Sequence, residues 1–143
     1  MTGTIDLMSL DIDGNDYWIW KALNIVKPRV VIAEYNCLWG PDKSVTIPYE
    51  PKFIAPRNPN PLIPIHSVDY CGASLLAFKK LAEAKGYRLV GINKHGYNAF
   101  FVLDELCKNL PEKPLSECFE IPLVEWSMES RFQNIKDMPW EEV

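Results

Sequence analysis

The sequence predicts an α/β fold whose sheet is mostly parallel and ends in an antiparallel strand. Two observations indicate this fold. Residues 5–11 and 30–35 have the apolar character of buried strands and flank a helical segment, and a strand–helix–strand unit of this kind makes a right-handed parallel pair. Residues 88–93 and 98–103 form two further strands separated by four residues, a connection that only an antiparallel hairpin can make.

The composition is that of one folded domain. The chain has 143 residues, 48% of them apolar, and no apolar run approaches the roughly 18 residues that cross a membrane. Its net charge is −4 and its basic residues are dispersed, which disfavours nucleic acid as a partner. The first ten residues lack the pattern of a secretory signal, and the four cysteines form no CxxC pair, which is typical of reduced thiols. We therefore expect a cytoplasmic protein that binds neither nucleic acid nor a membrane.

The first strand runs into an acidic turn and then an aromatic-rich helix, in the stretch MSLDIDGNDYWIWKAL. The helix is predicted over about residues 15–26, ended by Pro28. Three polar residues of the turn supply caps or N-terminal negative charge: Asp13, Asn15 and Asp16. Tyr17 and Trp20 lie on the apolar face and belong to the core. Trp18 points elsewhere, and contact with a partner or with a half of the fold that this chain lacks is favoured for it.

The segment after the second strand is rich in proline. The strand itself, residues 30–35, is continuously apolar up to Glu34, the pattern of a strand covered on both faces. Residues 40–66 then hold seven of the twelve prolines, enough to exclude long regular elements. A segment of this kind is either an extended surface arm or a lid over a site, and the residues alone do not separate these interpretations.

The second half of the chain begins with a helix, predicted over residues 71–85 and followed by Gly86 in a left-handed conformation. The hairpin comes next, with Gly96 in its turn. Beyond it the periodicity weakens, and the stretch FEIPLVEW is interpreted as a short edge segment. We therefore divide the chain into an α/β domain over residues 1–110 and an irregular C-terminal tail over residues 111–143 that packs on it.

Four stretches of the chain read DLMSLDIDGNDYWIWKAL, PRVVIAEYN, YCGASLLAFKKLAEAKGYRLVGIN and NAFFV. Together they resemble the class I S-adenosylmethionine-dependent methyltransferases, and the FkbM-like group in particular. The resemblance implies a Rossmann-like sheet in which this chain supplies the fourth strand and those after it. Across the sheet it implies the order 5–11, 30–35, 98–103 and 88–93.

The same resemblance implies a partial fold. In the family, a glycine-rich loop after the first strand holds the cofactor, and the seven glycines of this chain include no GxGxG. The chain then corresponds to the C-terminal half of the fold and lacks the N-terminal cofactor-binding half. No cofactor is expected for the isolated chain, whereas S-adenosylmethionine or Mg²⁺ would be bound in a site that a partner completes.

Polar residues gather where the first two predicted strands end. Asp11, Asp13 and Asn15 follow the first strand, and Glu34 and Asn36 end the second. Because the carboxyl ends of parallel strands are neighbours, these residues are expected to line one crevice. Some metal-using O-methyltransferases hold magnesium with acidic residues at such strand ends, and the resemblance therefore implies a metal site at Asp11, Asp13 and Glu34. Helix capping by Asp13 or Asn15 is the competing interpretation.

The proline-rich arm offers three further polar groups to this crevice: Tyr49, His66 and Tyr70. The pKa of a histidine suits a general base, which makes His66 a candidate for that role. A surface histidine preceding a helix is the alternative interpretation. No catalytic residue is assigned.

Two functional hypotheses follow. In the first, the chain is a methyltransferase-like module without stand-alone catalytic activity that assembles as an oligomer or with a partner. In the second, it is a subunit of an O-methyltransferase dependent on S-adenosylmethionine, and another chain completes its active site. Residues 5–11 would leave one side of their strand open and contain no proline or lysine, so a homodimer is expected. Its interface is either strand 5–11 or a contact between helices that buries the same surface.

Overall fold

The computed structural model describes residues 3–55 and 69–143. Its helices and strands are, in chain order, β1 (Gly3–Leu10), α1 (Asp16–Ala22), β2 (Val26–Glu34), β3 (Val45–Thr46), α2 (Leu75–Ala84), β4 (Tyr87–Ile92), β5 (Asn98–Leu103), α3 (Pro122–Arg131) and β6 (Glu141–Glu142). Short 3₁₀ turns lie at Cys37–Trp39, Asp104–Leu106, Ser116–Cys118 and Phe132–Asn134. The fold is therefore α/β, as the sequence predicts.

Four strands form the central sheet in the order β1-β2-β5-β4. β1 and β2 are parallel, and β5 is antiparallel to both of its neighbours, β2 and β4. Three strands therefore run in one direction and β5 runs against them. This is the strand order predicted from the sequence. The short strands β3 and β6 form a separate antiparallel pair.

Helices α1 and α2 pack on one face of the sheet. The ring of Trp20 in α1 lies 5.2 Å from the ring of Phe101 and 5.7 Å from that of Tyr87, between centroids. Phe78 of α2 packs against Trp20 at 6.1 Å, and Val124 of α3 belongs to the same core cluster. The core therefore lies between this face and the helices. Full burial of each such side chain stabilises the fold by about 2 kcal/mol.

The other face of the sheet lies outside this core. Along β2 the burial alternates, since Val31 and Ala33 are fully buried whereas Val30 and Ile32 are half-buried. The apolar sheet residues that the core cluster leaves out are Ile5, Leu7, Val26, Val30, Ile32, Val90, Phe100 and Val102, which we call the open face. Within the described residues, β2 is therefore covered on one face, and the prediction of a strand covered on both is wrong.

α1 ends at Ala22, earlier than predicted, and β2 already begins at Val26. Leu23 has an extended backbone with φ −73° and ψ 111°, which terminates the helix. Pro28 consequently lies inside a strand and does not end the helix. It is tolerated there because β5 pairs with β2 only from Val30 onwards, so the missing N–H of Pro28 interrupts no bond on that side.

α2 begins at Leu75, four residues later than predicted, whereas its end at Ala84 and the hairpin follow the sequence prediction closely. The hydroxyl of Ser74 caps α2 by accepting a hydrogen bond from the backbone N–H of Ala77 at 3.3 Å. Gly86 follows the helix with φ 81°, the left-handed conformation that glycine adopts without a Cβ penalty. β4 and β5 are antiparallel, and the turn between them contains Gly96 with φ 74°.

The first part of the proline-rich arm is built into the fold. Val45 and Ile47 are buried, and β3 pairs with β6 near the C-terminal end of the described chain. The indole N–H of Trp18 donates to the carbonyl of Ile47 at 2.9 Å. Trp18 therefore contacts the arm of its own chain, and this part of the arm is neither a surface arm nor a lid. Residues 56–66 of the arm lie outside the described residues.

The C-terminal segment holds more regular structure than expected. The stretch interpreted as an edge segment contributes to α3, which begins at Pro122, a position where proline suits a helix. Val124 and Ile135 are fully buried in the core. At the hairpin, Gly96 lies so close to α3 that a Cβ added there would be 2.2 Å from Cγ2 of Val124. The tip of the hairpin is therefore in direct contact with α3.

Candidate functional site

Asp16, the first residue of α1, holds the acidic turn after β1 in shape. Its buried carboxylate accepts hydrogen bonds from the backbone N–H groups of Ile12 and Gly14, both at 2.9 Å. Asp13, between these two residues, has φ 54°, in the left-handed region. Burial raises the pKa of the Asp16 carboxyl, whereas these two hydrogen bonds lower it. The turn so formed places Asp11 and Asp13 beside the end of β2.

The carboxyl groups of Asp11, Asp13 and Glu34 lie together where β1 and β2 end. Each residue offers one carboxylate oxygen, and these oxygens lie within 4.8 Å of one another. Asp11 is exposed, and Asp13 and Glu34 are half-buried. We call this group the acidic trio. Several carboxylate oxygens at one point are the donor set of hard cations such as Mg²⁺ or Ca²⁺, so the residues fit a metal of that class.

Glu34 takes up a proton far more readily than an ordinary glutamate does. Burial raises its pKa to about 7, and the charges of Asp11, Asp13 and Asp16 and a hydrogen bond with Asp11 act in the same direction. At neutral pH the Glu34 carboxyl is therefore protonated about half of the time. A cation bound to the trio would compete with this proton, because metals bind the ionised carboxylate.

A pocket of about 360 Å³ opens at this end of the sheet, a size suited to a small molecule. Glu34 and Asp13 are among its lining residues, which also include Asn36, Asp69, Tyr97 and Arg131. The pocket therefore extends from the strand ends to the last turn of α3. Its lining combines carboxylates with one guanidinium.

Arg131 and Asp69 form an ion pair within this pocket. Nε of Arg131 donates to Oδ2 of Asp69 at 3.1 Å, and a second N–H of the guanidinium donates to Oδ1. Asp69 is only 8% exposed. The hydrogen bond with Asp69 raises the pKa of Arg131 above its ordinary value. This two-point contact ties α3 to the segment before α2 and thereby shapes the pocket.

The two asparagines predicted for the crevice have structural partners. Nδ2 of Asn36 donates to the carbonyls of Asp69 at 2.9 Å and Cys71 at 3.2 Å, and its Oδ1 caps the following 3₁₀ turn. Asn15 precedes α1 but makes no side-chain cap bond. Its Nδ2 donates to the carbonyl of Glu50 at 2.8 Å instead. The predicted capping by Asn15 is therefore wrong, and both side chains connect segments of the chain.

The arm residues expected at the crevice lie elsewhere. Tyr49 is exposed, with its ring 6.4 Å from the ring of Trp18. The hydroxyl of Tyr70 donates to the carbonyl of Pro139 at 2.5 Å. Neither tyrosine lines the pocket, so the expectation is wrong for both. His66 lies outside the described residues.

Two cysteines that the sequence pattern did not single out line the pocket. Burial raises the pKa of Cys37 to about 11 and that of Cys71 to about 12. The reactive form of cysteine is the thiolate, which neither residue populates appreciably at neutral pH. These thiols therefore act as small lining groups and not as nucleophiles.

The sequence also gave no indication of Asp69, Tyr97 or Arg131. Arg131 was hidden because the C-terminal segment appeared irregular, although a basic residue in the last turn of a short helix is a common arrangement. Asp69 and Tyr97 belong to the connections before α2 and between β4 and β5, whose positions depend on tertiary contacts.

Within residues 3–55 and 69–143, none of the helices combines the length and the apolar character needed to cross a membrane. Comparison of the whole chain with known proteins found no matching family model, no matching curated protein and no matching solved structure.

Proposed function

We propose that this chain is a methyltransferase-like α/β binding module that does not transfer methyl groups by itself. The observation that supports it is the pocket at the carboxyl ends of parallel strands β1 and β2, in a sheet with the order β1-β2-β5-β4. Ligands of open α/β sheets bind at this position. The pocket, and not a catalytic group, is the basis of the proposed function.

We expect no methyl transfer by this chain alone because the reaction depends on how the cofactor is positioned. The reaction requires the sulfonium of S-adenosylmethionine to be held in line with a nucleophile, which is above all an effect of orientation. The sequence contains no GxGxG, and the lining residues of the pocket offer no equivalent row of backbone N–H groups from a glycine-rich loop. Too few contacts would then offset the entropy lost on binding.

The class of ligand follows from the acidic trio. Asp11, Asp13 and Glu34 present ionisable oxygens that suit Mg²⁺ or Ca²⁺. A cation bound there would leave coordination positions for a ligand with neighbouring hydroxyl groups, for which the pocket of about 360 Å³ has room. The module would thus bind a divalent cation together with a small hydroxylated molecule.

A second candidate is an O-methyltransferase subunit whose cofactor site is completed by another chain. The acidic trio favours this candidate, since a cation there would hold a diol at the strand ends. Isothermal titration calorimetry with S-adenosylmethionine and S-adenosylhomocysteine separates the two. No heat with either compound is expected from the isolated chain, whereas binding of either would support the enzyme subunit.

Cation binding is tested by thermal unfolding in magnesium chloride. A ligand that binds only the folded state stabilises it by mass action, and for a dissociation constant near 1 mM, 10 mM of the ion adds roughly 1.4 kcal/mol. The double variant Asp11→Asn with Glu34→Gln should lose this effect. The matched control, Asp137→Asn with Glu129→Gln, removes two exposed carboxylates and should keep it. An equal magnesium effect in both variants would contradict the proposed ligand class.

A further inference from the structure

We propose that β1 is a self-association edge: two copies of this chain pair their β1 strands antiparallel about a two-fold axis at Leu7. The product is one continuous sheet of eight strands, four from each copy. This proposal is independent of the ligand proposed for the pocket, because it rests on the backbone edge and the open face.

The outer edge of β1 is unpaired among the described residues. β1 bonds to β2 along one side, and no other described strand pairs with it. Exposed edges in stable monomers are usually blocked by proline, lysine or inward-pointing charge. β1 has neither proline nor lysine, and its one charged residue, Asp6, is exposed and paired with Arg29 of β2 at 3.0 Å. The edge is therefore able to accept another strand.

The open face supplies an apolar surface at this edge. Leu7 lies in the middle of β1, is 54% exposed and belongs to the open face. The strand register places it beside Val30, which in turn lies beside Val102. An apolar row therefore crosses the sheet and ends at Leu7. A second sheet added here continues the row and buries Leu7 against the same residue of the second copy.

The two-fold symmetry requires the pairing to be centred on one residue of β1, and Leu7 is the exposed apolar residue at mid-strand. An axis perpendicular to the sheet keeps the open faces of both copies on one side, so residues of that face lie opposite each other. With the axis at Leu7, the two Leu7 side chains meet and Ile5 lies opposite Ser9. Asp6 lies opposite Met8, so no two acidic residues are directly opposed. An axis at Asp6 would oppose two carboxylates, which is unfavourable.

Charge also selects the antiparallel arrangement. A parallel pairing would bring the two acidic trios side by side at one end of the sheet. In the antiparallel pairing about Leu7, the two copies of Asp11 are eight residues apart along the strands, or roughly 26 Å at 3.3 Å per residue. The repulsion between the trios is then largely screened by salt.

The first test measures association of the full chain by sedimentation equilibrium between roughly 1 and 100 µM, the range in which a moderate dimer forms. A dimer is expected. Leu7→Arg places two like charges at the axis and should weaken the dimer by at least about tenfold. Leu123→Arg, on the exposed side of α3, is the matched control and should leave it unchanged. A monomeric wild-type chain, or a dimer that Leu7→Arg does not weaken, would overturn the proposal.

The second test measures the register by disulfide formation and uses milder substitutions. Leu7→Cys should form an intermolecular disulfide under mild oxidation, because the two side chains meet at the axis. Ser9→Cys alone should not, since Ser9 lies opposite Ile5 of the other copy, whereas Ser9→Cys combined with Ile5→Cys should. Equal crosslinking of the Leu7→Cys and Ser9→Cys single variants would also overturn the proposal.

Discussion

Carboxylate oxygens of Asp11 and Glu34 lie within 4.8 Å of each other at the ends of two neighbouring parallel strands. Two carboxylates this close repel each other when both are ionised, which favours a proton on one of them. Glu34, the half-buried member of the pair, keeps a proton more readily, because desolvation penalises its ionised form. Glu34 therefore holds a proton at the position where the proposed cation would bind.

Stability should depend on pH through Glu34. Its pKa is about 7 in the folded chain and 4.5 for an ordinary glutamate, so its protonated form favours folding. This contribution is fully present below pH 4.5 and is lost as the pH rises through 7. Glu34→Gln removes the ionisation and should raise the free energy of unfolding above neutral pH by up to about 3 kcal/mol. Urea unfolding at pH 5 and pH 8 measures the difference from wild type.

The exposed residue Glu129 provides the control for this experiment, since Glu129→Gln should change stability equally at both pH values. If Glu34→Gln gained no more stability at pH 8 than at pH 5, Glu34 would have an ordinary pKa in the folded chain.

Magnesium should stabilise the chain more at pH 8 than at pH 6. At pH 6 most Glu34 side chains carry a proton, which the ion must displace before Glu34 can act as a ligand. Thermal unfolding in 10 mM and zero magnesium, at both pH values, gives the comparison. A magnesium effect that is independent of pH would place the ion at carboxylates other than Glu34.

Asp16→Ala should destabilise the fold and weaken cation binding together. The change leaves the backbone N–H groups of Ile12 and Gly14 without their acceptor, at a cost of about 2–4 kcal/mol. The turn that carries Asp11 and Asp13 would also lose its fixed shape. Urea unfolding measures the first effect and magnesium titration of the folded variant measures the second. Asp42→Ala, at an exposed position, should have neither effect.

Arg131→Met should destabilise the chain more than the double variant Arg131→Met with Asp69→Asn. The single change leaves the buried carboxylate of Asp69 without its guanidinium, which costs about 3 kcal/mol, whereas the double change removes the charge as well. A double-mutant cycle by urea unfolding measures the coupling. Additive effects of the two substitutions would show that the pair contributes nothing to stability.

Local pattern was sufficient for the parallel pair of β1 and β2, the β4–β5 hairpin and the end of α2, because these follow from strong signals, whereas the order of the strands across the sheet was implied by the family resemblance. Val31 and Ala33 lie in a β-branched run, and Gly86 ends an amphipathic helix. The acidic trio could be expected from local pattern too, since the parallel pair alone makes its strand ends neighbours. Pattern failed where the fold depends on contacts distant in sequence. Trp18 was expected to face a partner, because the sequence does not show that the arm returns to it at Ile47.

α3 is a second element that local sequence pattern was not sufficient to predict. Only Val124 and Ser127 are buried within this helix, so its sequence carries little of the periodicity that identifies a helix. Its position is set by the surfaces it meets, and without α3 in place the contribution of Arg131 to the pocket cannot be anticipated. The pocket was therefore predicted on the strand side and missed on the helix side.

The contact between Gly96 and Val124 makes the hairpin tip a support for a distant part of the pocket. Any side chain at Gly96 would strain a left-handed backbone and push against Cγ2 of Val124, and so displace α3 from the tip of the hairpin. Arg131 is at the far end of that helix, where it holds Asp69. A single methyl group at position 96 would therefore tilt α3 and move the guanidinium of Arg131. The pocket would then change shape without any change in its own residues.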